Sequence, residues 1–185
     1  MGIVMNAAAL EMTRPVRNIA FGYSTRCNIR CGHCVAADAS PNAAKMDLER
    51  AKAVVSEMAR SSVTGISFTA GEPLLYYDDI SQLLQRCRAK GIYSRVVTNS
   101  FWAKTLEKAD RVVSGLQASG LSQLRLSFSR WHQEHIDADN ILRAASSCRK
   151  HGLDYFVSFV TDFSKNDDTY EQFLQRHGLK YFPEP

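Results

Sequence analysis

The chain has 185 residues, of which 45% are hydrophobic and 23% are charged. This length is enough for one domain with a hydrophobic core, and the balance is ordinary for a soluble protein. The formal net charge of +4 is spread along the sequence without a run of Lys or Arg, so we do not expect nucleic acid as a partner. No stretch approaches the length of a membrane-spanning helix, so we expect no membrane contact either.

The first predicted strand covers residues 18–24. The residues before it include an apolar stretch, but no charged segment precedes a long apolar core, so they are not typical of a signal peptide. We expect a flexible leader over residues 1–17 and a single domain over residues 18–185. The cysteines number five, which is odd, and three of them are clustered. That pattern favours a reducing, cytoplasmic location over a disulfide framework.

A helix, a glycine and a short strand recur through the rest of the chain, with the glycines 26 to 32 residues apart. Asp47 is the expected N-cap of the first helix. Each glycine is expected to end a helix or turn in the left-handed conformation. The five glycines are Gly65, Gly91, Gly120, Gly152 and Gly178. The strands after the first four are predicted at residues 66–69, 92–98, 121–128 and 153–160, and a sixth strand begins at Leu179.

Strands that alternate with helices at this interval indicate a parallel α/β sheet. The layout is either a flat, doubly wound sheet or a curved, TIM-like barrel. Both layouts put their chemistry at the carboxyl ends of the strands. Cys87 and Cys148 lie on the apolar faces of two predicted helices, so we interpret both as core residues.

The other three cysteines, Cys27, Cys31 and Cys34, follow the first strand with the spacing Cys-x3-Cys-x2-Cys. A short loop can point three thiolates at this spacing toward one inorganic centre. Iron–sulfur clusters usually have cysteine ligands on every iron, so three cysteines would leave one iron of a cubane without a protein ligand. An open coordination position is what chemistry at a metal requires.

Other interpretations of these cysteines remain open at this point. Positions i, i+4 and i+7 share one face of a helix, although Gly32 argues against a helix here. Zinc could bind to the cysteines and His33, but the spacing is not that of a zinc finger, and no second Cys/His pair follows at a suitable distance. A redox pair of Cys31 and Cys34 would leave Cys27 unexplained.

The segment Cys27-Asn28-Ile29-Arg30-Cys31-Gly32-His33-Cys34 resembles the cluster loop of the radical S-adenosylmethionine (SAM) enzymes. The resemblance implies a 4Fe–4S cluster held by Cys27, Cys31 and Cys34, with SAM chelating the open iron through its amino and carboxylate groups. His33 stands where the family commonly has an aromatic residue, and is implied to contact the cofactor. The implied fold is α/β: a partial, open, TIM-like (β/α)6 barrel of parallel strands, in which the chain barely reaches the sixth unit and could leave it incomplete.

Two strand ends look like known SAM-binding segments of that family. Gly71 and Glu72 resemble its Gly-Gly-Glu motif, which holds the amino group of the methionine of SAM, with Ala70 in place of the first glycine. Glycine would let the ligand approach the backbone closely. Asn99 lies in a Thr-Asn-Ser segment that resembles the Thr-Asn-Gly of many members. Taken without the resemblance, both segments are ordinary turns.

The end of the fourth strand resembles the Ser-x-Asp segment with which the family contacts the ribose or the methionine of SAM. Ser127 fits this pattern, and Ser129 stands where Asp is common. A serine hydroxyl can form hydrogen bonds but cannot act as a carboxylate. Arg130 could pair with a carboxylate of SAM or of the substrate, and His132 and Glu134 could serve proton transfer or substrate binding. The alternative is an ordinary polar loop.

The resemblance implies a radical SAM enzyme. The cluster, reduced by an external one-electron donor, would pass an electron to SAM, and the resulting 5′-deoxyadenosyl radical would take a hydrogen atom from a peptide, protein or small-molecule substrate. No residue beyond the cluster ligands is assigned a catalytic role. Two other classes remain open: an iron–sulfur electron-transfer or redox-sensing protein without SAM chemistry, and a zinc-stabilised interaction domain.

Overall fold

The computed structural model describes residues 17–36, 40 and 42–185. Six parallel strands form one sheet in chain order. They are β1 Asn18–Gly22, β2 Gly65–Thr69, β3 Tyr93–Thr98, β4 Gln123–Phe128, β5 Asp154–Val160 and β6 Tyr181–Glu184. In the described part of the chain β1 and β6 are not paired with each other. The sheet is therefore open, and the predicted partial barrel of parallel strands is confirmed.

Helices connect successive strands. They are α1 Leu48–Met58, α2 Tyr77–Ala89, α3 Leu106–Ala118, α4 Arg130–Gln133, α5 Asp139–His151 and α6 Asp168–Arg176, with single 3₁₀ turns at Pro73–Tyr76 and Lys165–Asp167. The carboxylate of Asp47 accepts a 2.9 Å hydrogen bond from the backbone N–H of Arg50, so it is the N-cap of α1 as predicted. Of the helices in the described residues, none is long and apolar enough to cross a membrane.

The hydrophobic core lies between the sheet and the helices. On β4, Leu124 and Leu126 are fully buried on this side, and each such leucine contributes about 1.5–3 kcal/mol of transfer free energy. Cys87 and Cys148 are also fully buried in the core, which confirms their predicted place. Because side chains alternate along a strand, the opposite, inner face of β4 carries Arg125 and Ser127.

Four of the five predicted helix-ending glycines have the expected left-handed backbone. Their φ angles are +67° at Gly91, +95° at Gly120, +67° at Gly152 and +60° at Gly178. The prediction for Gly65 is wrong: this residue opens β2 and pairs with Asn18 of β1. A Cβ atom at Gly65 would lie 1.9 Å from Oδ1 of Asn18, so a side chain here would displace the exposed side chain of Asn18.

The two ends of the described chain concern the predicted leader and the predicted sixth unit. The predicted leader lies outside the described residues except for Arg17, whose backbone N–H donates a 3.0 Å hydrogen bond to the Thr64 hydroxyl. The sixth unit contains a complete strand, β6, which pairs with β5 through four residues. The barrel therefore has all six of its strands.

Candidate functional site

A cavity lies at the carboxyl ends of the strands, where folds of this class place their chemistry. All three cysteines of the loop after β1 line it: Cys27 is half-buried, Cys31 is buried and Cys34 is exposed. Other elements also contribute to the lining. From the predicted set, these residues are His33, Gly71, Glu72, Asn99 and Ser127.

The cysteine loop is not helical. The chain turns at Gly32 and His33, and the backbone N–H of Cys34 donates a 3.1 Å hydrogen bond to the carbonyl oxygen of Cys31. The alternative in which the cysteines form one face of a helix is therefore wrong. Among the described residues, no three Cys, His, Asp or Glu side chains are grouped around a position for one metal ion.

The thiols of the cysteine loop are close enough for their charges to interact. Burial raises the pKa of Cys27. Burial, followed by the negative charges that Cys27 and Cys34 would carry as thiolates, raises the pKa of Cys31 to about 12. The three sulfurs are thus near enough for their thiolates to repel one another. Bound iron would offset this repulsion, so the donor set fits an iron–sulfur cluster with one open iron.

Gly71 lies directly against the backbone at the start of the cysteine loop. Its φ angle is +60°, and a Cβ atom there would lie 2.2 Å from the carbonyl oxygen of Arg26 and 2.7 Å from the carbonyl carbon of Thr25. We expected glycine to make room for a ligand. The close approach in this structure comes instead from the loop that carries the cysteines, and Ala70 beside it also has a positive φ of 64°.

Glu72 connects three segments around the cavity. Its backbone N–H donates a 2.7 Å hydrogen bond to the carbonyl oxygen of Arg26. Its carboxylate accepts hydrogen bonds from the backbone N–H groups of Leu74 at 3.0 Å and of Asn99 at 2.8 Å. The residue is 2% exposed, and burial raises the pKa of its carboxyl to about 7 despite these hydrogen bonds. The side chain of Thr98 is a third hydrogen-bond donor to this carboxylate, so about one of its four lone pairs remains for a further donor, such as an ammonium group.

Asn99 contacts the cysteine loop from the end of β3. Its Nδ2 lies 3.0 Å from Oδ1 of Asn28 and 3.9 Å from Sγ of Cys27. Its own Oδ1 accepts a 3.0 Å hydrogen bond from the backbone N–H of Phe101, which fixes the amide orientation. The structure therefore brings Asn99 next to a predicted cluster ligand.

His33 packs between two rings of the segment after β4. Its ring centroid lies 4.9 Å from that of Trp131 and 5.1 Å from that of His132. Burial lowers the pKa of His33. Its Nδ1 is buried without a hydrogen-bond partner among the described residues. This nitrogen has the capacity to bind a polar group of a ligand in the cavity.

Ser127 faces the cavity, but Ser129 and Arg130, also predicted to contact SAM, do not line it. The chain turns into α4 at Ser129, whose Oγ caps that helix by accepting a 3.2 Å hydrogen bond from the backbone N–H of His132. Arg130 pairs with Asp162 at 2.7 Å and with Asp167 at 2.6 Å. Neither side chain is brought to the site, because local partners already hold both.

The segment that begins at Arg130 covers the cysteine loop instead. The guanidinium carbon of Arg130 lies 3.9 Å from the ring centroid of Trp131, a cation–π contact. A Cβ atom at Gly32 would lie 3.4 Å from Cδ1 of Trp131, so the indole rests on the loop. His135 Nε2 lies 3.0 Å from the carbonyl oxygen of Arg30. Arg130 thus supports the loop through Trp131.

Among the lining residues outside the predicted set of metal and cofactor ligands, two form a hydrogen-bonded pair on the inner face of the sheet. Arg125 lies on the inner face of β4, and Ser158 lies beside it on β5. The alternation of β4 placed Arg125 on the same face as Ser127, so the sequence carried a signal for it. No turn motif marks Ser158, and its position depends on the register of β5 with β4.

The comparisons with known proteins agree with this geometry. Residues 22–177 match the family model of the radical SAM superfamily. YydG of Bacillus subtilis (strain 168), which is named as a peptide biosynthesis protein, is 22% identical over 73% of this chain and 43% of its own length. A GTP 3′,8-cyclase of Xanthomonas campestris pv. campestris (strain B100) is 31% identical over 84% of this chain and 49% of its own length.

A solved structure shows the same fold. The radical SAM methyltransferase TsrM from Kitasatospora setae, with cobalamin and a 4Fe–4S cluster bound, superposes with a TM-score of 0.67 at 15% identity, over 94% of this chain and 38% of that one. This chain spans less than half the length of the two curated relatives. The family model covers most of it, from the end of β1 to just past α6. The chain therefore belongs to the radical SAM superfamily, whose members use a 4Fe–4S cluster and SAM.

Proposed function

We propose that this chain is the catalytic core of an enzyme that cleaves SAM reductively and uses the 5′-deoxyadenosyl radical to remove a hydrogen atom from a peptide or protein. The observation that carries the proposal is the cavity, whose lining combines three cysteines with Gly71, Glu72, Asn99 and Ser127. The bound cluster and SAM supply the one-electron chemistry. An external one-electron donor reduces the cluster.

The residues of this chain bind and orient these groups. Cys27, Cys31 and Cys34 hold the cluster. Glu72 accepts a hydrogen bond from the amino group of SAM with its remaining lone pair, a role that its position in the cavity lining supports. Ser127 supplies a hydroxyl for the methionine or ribose portion, and His33 and Asn99 contact the cofactor from the lining of the same cavity.

The cavity also favours an enzyme over the other two classes. An electron-transfer protein needs a cluster near the surface but no ligand cavity beside it. A zinc-stabilised domain needs a closed set of ligands around one ion and likewise needs no ligand cavity beside it. The cavity is lined by backbone and side chains from several strand ends, as binding sites of α/β folds are.

The open side of the sheet supports a large substrate. Parallel barrels usually close with about eight strands, whereas this sheet has six, and β1 and β6 are not paired in the described residues. A carbon radical beside this gap must be shielded from water and from other hydrogen donors. A peptide or protein can cover the gap as it binds. The similarity to YydG, named for peptide biosynthesis, supports the same substrate class.

The proposal is tested by anaerobic reconstitution with iron and sulfide, followed by reaction with SAM and dithionite. We expect 5′-deoxyadenosine, formed faster when a peptide substrate is present, with deuterium moving from the labelled peptide into the product. GTP serves as the small-molecule comparison, because GTP 3′,8-cyclases are among the relatives. Coupled turnover on GTP without any peptide effect would contradict the peptide proposal. A loaded protein that forms no 5′-deoxyadenosine under any condition would contradict the enzyme.

A further inference from the structure

Arg125 lies on the inner face of the sheet, two residues before Ser127 on β4. It is in register with Val97 of β3 and Phe156 of β5. Among the described residues that line the cavity with the cysteines, it is the only Arg or Lys. An arginine placed inside a cavity offers a planar set of donors to an anion.

Two partners bind Arg125, and both contact its Nη2 atom. Its Nη2 donates a 2.8 Å hydrogen bond to the Ser158 hydroxyl and pairs with the carboxylate of Glu184. The Ser158 hydroxyl donates a 2.6 Å hydrogen bond to the same Glu184 oxygen. The Nε of Arg125 is buried and has no partner among the described residues. The guanidinium therefore has unused donor capacity.

A second arginine, Arg95, contacts the same aromatic ring as Arg125 but has partners of its own. The guanidinium carbons of Arg95 and Arg125 lie 5.3 Å and 5.8 Å from the ring centroid of Phe156. Arg95 donates to the side chain of Gln123 at 2.7 Å, and Gln123 in turn donates to the carboxylate of Asp154. Glu184 pairs with Arg125 and not with Arg95, so Arg125 is the arginine on this face that is available to an anion in the cavity.

We propose that Arg125 and Ser158 form a carboxylate-binding subsite for the substrate, which Glu184 occupies in the free protein. Glu184 lies on β6, a four-residue strand at the edge of the sheet, and its side chain is 32% exposed, so it has room to turn outward. A carboxylate fits because it is the group that already bridges Arg125 and Ser158, and the guanidinium fork matches it. The inference rests on the proposed function and specifies the substrate as a peptide with an acidic side chain.

The test uses the cluster-loaded protein and two matched probes, N-acetylglutamate amide and N-acetylglutamine amide. They differ in one carboxylate and are compared by calorimetry and by the rise in Tm at constant ionic strength. The glutamate probe is expected to bind and the glutamine probe is not. Glu184→Gln, which removes the internal carboxylate, is expected to tighten binding of the glutamate probe about tenfold, the value of one charged hydrogen bond.

Arg125→Gln is expected to abolish binding of the glutamate probe. Arg95→Gln is the matched control, because Arg95 lies beside the same ring but does not line the cavity. It should change the dissociation constant by less than about twofold. Equal binding of the two probes, or unchanged binding in Glu184→Gln, would overturn the proposal. If Arg125→Gln fails to fold, the two probes are compared in Glu184→Gln. Tighter binding of the glutamate probe alone supports the subsite, and equal binding of both probes overturns it.

SAM also carries a carboxylate, so its affinity is measured in the same variants. Unchanged SAM affinity in Arg125→Gln supports a substrate subsite. Loss of SAM affinity, together with displacement of the probe by SAM, would assign Arg125 to the cofactor and overturn the proposal. Probe binding needs no radical chemistry. A protein that binds the probe but forms no 5′-deoxyadenosine therefore contradicts the proposed function and leaves the subsite supported.

Discussion

The backbone N–H of Glu72 donates a 2.7 Å hydrogen bond to the carbonyl oxygen of Arg26. This bond joins the end of β2 to the residue just before Cys27. Gly71 lies against the same carbonyl group, at a distance that leaves no room for a Cβ atom. The placement of the first cysteine therefore depends on the two residues that follow Ala70.

Gly71→Ala should impair cluster loading. The new Cβ would lie 2.2 Å from the Arg26 carbonyl oxygen, so the loop must move. Iron and sulfide content after anaerobic reconstitution measures the effect, and we expect the variant to hold well under half of the wild-type cluster. Gly91→Ala is the control, because Gly91 has a φ of +67° but nothing within 4 Å of its Cβ position.

The control variant, Gly91→Ala, should lose about 1 kcal/mol of unfolding free energy, the usual cost of an alanine with a left-handed backbone. It should still load a full cluster. Full loading in Gly71→Ala would contradict the account of the loop. Gly71→Ala is thus expected to reduce cluster content, whereas the Gly-Gly-Glu resemblance by itself would predict a loss of SAM affinity. The difference arises because the atoms close to Gly71 belong to the protein's own backbone.

The sheet could be predicted because its signals are local. Glycine after a helix and alternation along each strand mark units that recur at a regular interval. Gly65 shows the limit of that reasoning. It has the same sequence context as the helix-ending glycines, yet it lies in β2 and pairs with Asn18, which is 47 positions away in the chain. Contacts between strands cannot be read from a single segment.

The unfolding free energy should depend on pH through Glu72. Its pKa of about 7 in the folded protein lies above its ordinary value of 4.5. The folded protein then keeps a proton that the unfolded chain has lost, so the stabilisation is full below about pH 4.5 and is lost as the pH rises toward 7. Urea unfolding of the reduced, cluster-free protein at several pH values measures this loss.

Glu72→Gln removes the titrating group. The unfolding free energy of the wild type should therefore fall toward that of the variant as the pH rises from about 4.5 to 7. The variant should also be less stable by about 1–3 kcal/mol at the acidic end, because its amide NH₂ faces a backbone N–H. Glu49→Gln is the control, since Glu49 is exposed. A difference that grows with pH would show that the hydrogen bonds from Leu74 and Asn99 outweigh burial.

Ala70→Gly should stabilise the protein. Ala70 has a φ of 64°, which costs an L-residue about 1–2 kcal/mol, and part of this is offset by the greater freedom of glycine in the unfolded chain. We expect a net gain of about 0.5–1 kcal/mol, seen as a rise in Tm of about 2–4 °C. The same substitution at Ala109, inside α3 and fully buried, should lower the Tm. A lower Tm in Ala70→Gly would contradict the assigned strain.

Trp131→Ala should expose the cluster to oxygen. The indole covers Gly32 and His33, and the Arg130 guanidinium lies on it at 3.9 Å. We expect the cluster absorbance to decay several-fold faster in air, because water and oxygen reach the loop. Arg149→Ala removes a cation–π contact with Tyr155 that lies away from the cysteines and should leave the decay unchanged. Equal decay rates in the wild type, Trp131→Ala and Arg149→Ala would contradict the role of Trp131 in shielding the cluster.

The candidate site was only partly predictable. The cysteines, Gly71 and Asn99 follow strands directly, so their sequence positions place them at the carboxyl edge of the sheet. Ser129 and Arg130 follow β4 in the same way, but α4 begins at once and its capping and ion-pair partners hold both side chains. The sequence does not reveal that turn, because Asp162 and Asp167 lie beyond the next strand.

The central claim, that Cys27, Cys31 and Cys34 hold a cluster that drives SAM cleavage, is tested most directly by 5′-deoxyadenosine formation in single cysteine variants. Each protein is reconstituted anaerobically, given SAM and dithionite, and analysed for the product. Cys27→Ala, Cys31→Ala and Cys34→Ala should form none. Cys87→Ala, which removes a fully buried core thiol, should retain the activity of the wild type once folded. Wild-type levels of 5′-deoxyadenosine in any of the three loop variants would contradict the claim.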